Sequence, residues 1–440
     1  MANSQKKIRT RFAPSPTGFV HIGNFRTGLF SHLWAKHNQG TSILRIEDTD
    51  QSREVEGAAG NLLSVMKTMG VEFDEGFYLD ENNAIKEKGE HGPYLQSKRL
   101  DLYQKYAAQL INEKKAYYCF CTEQRLEELR KEQTALKKPP MYDRHCFKLA
   151  ADEVQKKREE FKSSNTSPTI RFLTPEGSTV VHDLIYGDIT FENKVLDDQI
   201  LLKSDGFPTY HLAVVIDDHL MEISHVIRGD EWISSTPKHI LLYQAFGWEP
   251  TEFAHTPLIL NTDKSKLSKR QGDVAVEDYL KKGYLPEALL NFVAFLGWNP
   301  KNEKEIFSFE ELVAEFDLAN VNKSGAVFDI NKLDWINAQY IKKLSPDALA
   351  ENLMPFWKQA GLDAEKFDQK YLIAIAKLEQ ERLKTLSQIG EGSSYYFINP
   401  DYDPSLLVWK KSRNRRHLSK VRNMPINRLL KASIHPIYQD

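Results

Sequence analysis

Residues Arg11–Asn24 read RFAPSPTGFVHIGN: two prolines and two glycines stiffen and turn a loop that ends on His-Ile-Gly-Asn. The residues leading into it, IRTRF, have the alternating, β-branched character of a short strand. After it, Ile22, Phe25, Leu29, Phe30, Leu33 and Trp34 recur at helical spacing, and Gly40 offers a stop. SILRI then supplies a second apolar strand that runs into Glu47-Asp48. The order strand, helix, strand favours parallel pairing through a right-handed crossover. Ligands of open parallel sheets lie outside the carboxyl ends of the strands, and both the HIGN loop and the acidic EDTD end fall there. A glycine beside a helix N-terminus lets backbone N–H groups approach a phosphate closely. The loop therefore reads as a holder for a phosphorylated ligand, a tight structural turn being the alternative.

The 440 residues suffice for more than one domain at roughly 100–200 residues each. With 41% hydrophobic and 27% charged residues, the composition is that of an ordinary globular protein. No apolar N-terminal segment and no long apolar run is present, so neither secretion nor membrane spanning is expected. Three cysteines argue against a disulfide framework and fit a reducing compartment, the cytoplasm. The net charge of −2 counts mildly against a nucleic-acid binder.

A second stretch, Leu258–Asp273, reads LILNTDKSKLSKRQGD and puts Lys266, Ser268 and Lys269 on a polar loop after the apolar PLIL. Alone, two lysines on a loop describe a solvated surface. Together with HIGN they resemble the HIGH and KMSKS signatures of class I aminoacyl-tRNA synthetases. LRIEDTD, GPYLQSKRLDLYQKYA, SDGFPTYHLA and HVIRGDEWISSTPKHILLYQAFGW narrow the match. With them the chain is similar to glutamyl-tRNA synthetases of the bacterial type over roughly residues 7–412. The glutaminyl enzymes carry a first signature nearer PEPNGYLHIGH. The fourth position of the signature is Asn24 in place of His.

The resemblance implies an α/β multidomain fold: a Rossmann-type parallel-sheet catalytic domain with an α+β insertion, followed by an all-helical C-terminal region. It implies a two-step ligation of L-glutamate to tRNA(Glu). The amino acid's α-carboxylate attacks the α-phosphorus of ATP, releasing pyrophosphate. The 2′-OH of the terminal adenosine then takes the acyl group. Such chemistry rests on positioning and charge stabilisation, and the sequence offers no Ser, Cys or Lys nucleophile constellation. By resemblance His21, Lys266 and Lys269 are catalytic. Pro16, Gly18, His21, Gly23, Glu231, Ile259, Lys266, Ser268 and Lys269 would hold ATP, with Mg²⁺ bridging its phosphate oxygens. Arg11 and Arg228 would fork the two glutamate carboxylates and Glu47 would take the ammonium, with Ala13, Ser15, Tyr210 and Val214 lining the pocket. Arg11 and Glu47 sit at the carboxyl ends of adjacent predicted strands and Arg228 follows the predicted strand ISHVI, so all three reach the same sheet edge. Arg382, in EQERLKTL, matches an anticodon-reading arginine. A monomer without membrane contact is expected, with glutamate activation dependent on tRNA.

Along the chain, residues 1–105 and 205–260 read as the two halves of the catalytic sheet, and 106–204 as the insertion for the tRNA acceptor end. Residues 261–345 match a stem-contact region carrying the KLSKR loop, and 346–412 the helical anticodon-binding region. All cysteines fall in the insertion: Cys119 and Cys121 in CFC, then Cys146. Zinc-holding members of the family use C-x-C…C-x-H there, a closed tetrahedral set. Here Lys148 stands where that histidine would be, with Tyr142, His145 or water as substitutes. Less than one zinc per chain is expected, the three thiols otherwise being small buried residues.

From Arg413 the motif resemblance stops, and the tail carries seven Lys or Arg against one acid. An ordinary basic helix, a phosphate-binding extension or an altered reading frame could account for it, and the last is the expectation drawn. It carries exposed apolar surface at Leu406, Leu407 and Trp409 and incomplete anticodon recognition. Two alternatives to the ligase are a paralogue that glutamylates queuosine, which lacks an anticodon-binding region, and a tRNA-binding protein without catalysis. The latter would be expected to break His21, Lys266 or Lys269, and all are intact.

Overall fold

A computed structural model describes residues 7–50, 55–268 and 274–398 of the chain. Lys269 and the whole 413–440 tail, with Leu406, Leu407 and Trp409, lie outside the described residues. In chain order the first half holds β1 (Arg9–Phe12), α1 (Ile22–His37), β2 (Thr41–Leu44), α2 (Ala58–Thr68), β3 (Glu75–Leu79), β4 (Ile85–Lys88), α3 (Leu100–Asn112), β5 (Ala116–Cys119), α4 (Glu123–Ala135), α5 (Ala151–Ser163), β6 (Thr169–Phe172), β7 (Ser178–Asp183), β8 (Gly187–Glu192) and β9 (Ile200–Leu202). There follow α6 (Tyr210–Leu220), β10 (His225–Gly229), α7 (Thr236–Phe246), β11 (Glu252–Thr256), β12 (Ile259–Leu260), α8 (Val276–Lys281), α9 (Pro286–Ala294), α10 (Phe309–Glu315) and β13 (Ala326–Val327). Helices α11 (Ile330–Lys343), α12 (Pro346–Gln359), α13 (Gln369–Glu379), α14 (Gln388–Gly392) and α15 (Ser394–Phe397) complete it.

Two compact units result: Met1–Val276 with Val293–Phe328, and Glu277–Phe292 with Asp329–Asp440. The first is built on an eight-stranded sheet of order β4-β3-β2-β1-β10-β11-β7-β8. Strands β3, β2, β1, β10, β11 and β7 pair in parallel, and β4 and β8 close the two edges as antiparallel hairpin partners. The chain steps to β2 on one side of β1 and later returns to β10 on its other side. A topological switch point thus opens between β1 and β10, at their carboxyl ends.

Apolar residues hold the layers. Ile22, Phe25, Leu29, Phe30 and Leu33 of α1 are all fully buried, as the helical spacing predicted. Gly28 permits the contact of α1 with its own strand, since a Cβ there would meet the Phe12 ring at 2.9 Å. Leu212–Ile216 of α6 and Leu241–Tyr243 of α7 join Tyr103, Leu110, Ile170 and Leu201 in one buried cluster.

The insertion is divided differently from the expectation. Its β5, β6 and β9 form a separate three-stranded sheet. The hairpin β7–β8 instead extends the central sheet, with Phe253 of β11 opposite Asp183. Residues 178–192 therefore belong to the catalytic sheet rather than to an appended module. The span 261–345 is likewise divided, because 293–328 packs with the first unit.

The second unit is helical. Leu353 and Trp357 of α12 and Ile375 and Ala376 of α13 form its buried seam. Asn337 of α11, fully buried, accepts from Leu285 N at 2.8 Å and donates to Lys384 O at 2.6 Å, tying three segments together.

Candidate active site

Two adjoining cavities open at the switch point. The larger, about 600 Å³, is lined by Arg11, Ala13, Ser15, Glu47, Tyr210, Arg228 and Trp232 among others. The smaller, about 300 Å³, is lined by His21, Gly23, Arg26, Glu231, Ile259 and Lys266 among others. Asn24, Thr27, Gly229 and Glu231 belong to both walls, so the compartments meet at the first turn of α1 and the end of β10.

Backbone geometry delivers these side chains. Arg11 and Arg228 sit one residue before the ends of the neighbouring strands β1 and β10, and Glu47 lies just beyond β2. The loop leaves β1 through Gly18, whose φ of +119° is a conformation that side chains rarely adopt. His21 then caps α1: its Nδ1 accepts from Gly23 N at 2.9 Å. With Nδ1 accepting, the neutral imidazole carries its proton on Nε2 and is a donor there. Beyond β11, the short β12 pairs with β13, and a turn closed by Asn261 N donating to Ser265 O at 2.8 Å brings Lys266 back beside Leu260. Lys266 is exposed and lines the smaller cavity.

The two arginines of the larger cavity are held in contrasting ways. Arg11, 4% exposed, donates through Nε to Asp218 at 3.1 Å. Asp218 also pairs with the fully buried Arg45, which reaches Glu47 as well, each at 2.9 Å. Asp217 beside it accepts from Arg99, Gln96 and Tyr103 at 2.7, 2.9 and 2.8 Å. Burial raises the Glu47 carboxyl, opposed chiefly by Arg45 and Arg11. Arg228, 5% exposed, donates instead to His255 Nε2 at 3.1 Å, Tyr210 Oη at 3.2 Å, His239 Nδ1 at 3.2 Å and Thr236 Oγ1 at 2.9 Å.

Most of the residues singled out in the sequence thus converge on one edge. Val214 does not line the cavity: it lies in the hydrophobic cluster, one turn along α6 from Tyr210. Pro16, Gly18 and Ser268 belong to the loops that frame the smaller cavity and are not among its lining residues. Arg45, Asp218, His239, His255 and Arg26 were not anticipated. His239 and Thr236 could have been flagged as polar residues on the buried face of α7, three apart and in register with Ile240 and Tyr243.

In the insertion, the sulfurs of Cys119, Cys121 and Cys146 lie within 4.8 Å of one another. Tyr142 Oη stands 3.5 Å from Cys119 Sγ and 3.3 Å from Cys121 Sγ, and accepts from Cys146 N at 2.9 Å. Hydrogen bonds from its neighbouring thiols hold the Cys119 thiol far below its ordinary range. Cations flank the group: Arg125 Nη1 is 3.5 Å from Cys121 Sγ, and the Arg171 guanidinium sits 4.1 Å over the Tyr142 ring. In the second unit Arg382 is 75% exposed, beside α13, and 3.7 Å from Glu379.

Residues 7–335 match the family model of class I tRNA synthetases (E and Q), catalytic domain, and 348–425 that of an anticodon binding domain. The second match runs past Arg413, where the motif resemblance stops. Among curated relatives, the glutamate–tRNA ligase of Clostridioides difficile (strain 630) is 51% identical over 394 residues, 89% of this chain and 79% of that protein. That of Alkaliphilus metalliredigens (strain QYMF) is 47% identical over 417 residues, 92% of this chain and 83% of that protein. The crystal structure of a glutamate tRNA ligase from Elizabethkingia meningosepticum CCUG26117, in complex with its amino acid, superposes with a TM-score of 0.83. It is 34% identical, with 96% of this chain and 92% of that chain covered. The chain belongs to the glutamate–tRNA ligase family.

Proposed function

We infer that the protein attaches L-glutamate to tRNA(Glu) by way of glutamyl-adenylate. The observation that carries this reading is the pair of joined cavities: two buried arginines and an acid in one, a helix N-terminus with His21 and Lys266 in the other. Glutamate is a dianion with one ammonium, and the larger cavity offers Arg11, Arg228 and Glu47 in complement. The smaller cavity takes ATP, its adenosine against Gly23, Ile259 and Glu231 and its phosphates toward His21 and Lys266. The shared wall then sets the α-carboxylate of one beside the α-phosphorus of the other. Attack forms the acyl–phosphate bond and breaks the bond to pyrophosphate, whose developing charge falls to His21, Lys266 and Lys269. A lysine can serve this as a point charge. Mg²⁺ would arrive on the ATP phosphates, since no cluster of three His, Asp or Glu is found near the cavities among the described residues. Pro16, Gly18 and Ser268 keep the loops in place, and Val214 backs Tyr210 from the core.

The anticodon-binding match supports tRNA as the second substrate and speaks against the queuosine paralogue. Arg382, exposed beside α13, is available to read an anticodon base. No helix among the described residues is long and apolar enough to cross a membrane; a cytoplasmic monomer is the reading that fits. The test is pyrophosphate exchange with glutamate or glutamine, with and without tRNA(Glu). Exchange with glutamate only in the presence of tRNA supports the reading, and exchange with glutamine at an equal rate overturns it.

The thiol cluster fits a closed metal site better than the sequence suggested. Three sulfurs of the type zinc takes lie together, and the Tyr142 oxygen beside them could complete a four-donor set, with cations nearby to offset thiolate charge. Tyr142 occupies the role left open by Lys148. Bound zinc would brace β5 against the Tyr142–Cys146 segment without entering the reaction. Metal analysis is expected to give about one zinc per chain, and Tyr142→Phe less.

A further inference from the structure

Most buried arginines around the sheet are neutralised by an acid: Arg9 by Glu75, Arg11 by Asp218, Arg45 by Glu47 and Asp218, Arg99 by Asp217. Such pairing is what burial of a charge ordinarily demands. Arg228 bonds no carboxylate among the described residues. Arg26, on the wall of the smaller cavity, bonds Thr256 Oγ1 and the carbonyls of Pro257 and Leu296 and no carboxylate among the described residues. Arg171 beside the thiols is a third case. Glu231 and Asp230 act on Arg26 from a distance and Asp197 on Arg171, so among the three only Arg228 is ringed by bonded neutral acceptors at the end of a strand.

The partners of Arg228 form a chain whose proton positions follow from donor logic. A guanidinium only donates, so His255 Nε2 and His239 Nδ1 both accept. His255 must then carry its proton on Nδ1, which lies 2.6 Å from Asp183 Oδ2. His239 must carry its proton on Nε2, which lies 2.9 Å from His211 Nδ1. Thr236 accepts from Arg228, and its hydroxyl proton has two acceptors in reach, Trp232 O at 3.0 Å and His255 Nε2 at 3.2 Å, either of which leaves His255 Nε2 an acceptor. Asp183 is itself fixed by the N–H groups of Ile185, Tyr186 and His255. Burial also keeps His239 and His255 in the neutral form.

We propose that His239 and His255 are specificity-determining positioning residues: as neutral acceptors they orient Arg228 while leaving its charge for the side-chain carboxylate of the substrate. This rests on the proposed function and adds to it that Arg228, rather than Arg11, meets the side-chain carboxylate. An acid at either position would orient the guanidinium equally well. It would also satisfy its charge internally, so that an incoming carboxylate gains less and is partly repelled. Glutamate, anionic, loses by this; glutamine, neutral and similar in shape, does not. Imidazole held in one tautomer is thus the acceptor that preserves discrimination between the two. Asp183 contributes by fixing the His255 tautomer from behind, one ring removed from the guanidinium.

The test uses the full chain with tRNA(Glu) and reads KM for glutamate, KM for ATP and the glutamate-to-glutamine ratio of kcat/KM. His239→Asp is expected to raise the glutamate KM about ten- to a hundredfold, leave the ATP KM in place and lower the ratio. His239→Asn, whose Oδ1 can take the place of Nδ1, is expected to restore most of the glutamate affinity. If His239→Asp does not fold, Thr236→Asp sets a carboxylate against the same guanidinium and is expected to act likewise. Arg228→Ala, run alongside, separates the two levels of the claim. Loss of glutamate affinity in Arg228→Ala with an unchanged ratio in the Asp variants overturns the role of the neutral acceptors and leaves the pocket reading standing. No loss in Arg228→Ala overturns the pocket reading itself. Equal losses in the Asp and Asn variants, extending to the ATP KM, would show packing alone and overturn the inference.

Discussion

Arg11 and Arg228 project from the ends of neighbouring strands, one paired to Asp218 and the other to neutral rings and hydroxyls. Arg228→Ala is therefore expected to weaken glutamate use about ten- to a hundredfold while sparing ATP, as steady-state KM values for each will show. At Lys266 the expectation is the reverse. Lys266→Ala removes the cation that stabilises the charge developing on the leaving pyrophosphate, so the exchange rate is expected to fall about a hundredfold with little change in glutamate KM. Retention of the full rate would take Lys266 out of the chemistry. Arg11, Glu47 and Arg228 were singled out through the family resemblance, and their places at or near strand ends agreed with one shared edge, where all three line the larger cavity. Asp183, Asp218 and His255 were not: their partners lie 27 to 207 residues away, and no local period records such meetings.

At the scale of elements, α1 shows how closely sequence pattern and packing agree. Its apolar spacing, its N-terminal His21 and its end near Gly40 all follow the sequence, and Gly28 lets it lie on Phe12. Gly28→Ala is expected to cost about 1–3 kcal/mol through the clash with that ring, read as a lower denaturation midpoint. An unchanged midpoint would mean that Phe12 moves aside freely. The hairpin β7–β8 shows the limit of local reading. Ser178–Asp183 alternates exposed and buried in the structure, yet its residues S-T-V-V-H-D do not alternate polar and apolar, so the sequence carries no strand signal there. Which sheet it joins depends on β11, some seventy residues later, and alternation carries no information about that partner.

Across the molecule, acid is expected to loosen the first unit before carboxylate protonation does. Burial lowers His32, His211 and His225 each to about 4 from an ordinary value of 6.5. The unfolded chain thus binds more protons than the folded one between about pH 6.5 and 4, and stability falls as pH drops through that window. Thermal melts from pH 7 to 4 are expected to show a steady decline, and a flat profile would mean that these rings are solvated. Fold class and the joined catalytic edge were readable from six motifs in order, whereas the limits of the compact units were not. They depend on which helices pack together, as when 293–328 returns to the first unit across an intervening stretch of the second.

On the proposed function, one continuous site holds the amino acid in one compartment and ATP in the other. This is tested most directly by calorimetric titration with a non-hydrolysable glutamyl-adenylate analogue, beside its glutaminyl counterpart. The account predicts that the glutamyl analogue binds far more tightly than glutamate or ATP alone. It also predicts displacement by either substrate and weaker binding of the glutaminyl form. Equal binding of the two analogues, or displacement by ATP but not by glutamate, would contradict it.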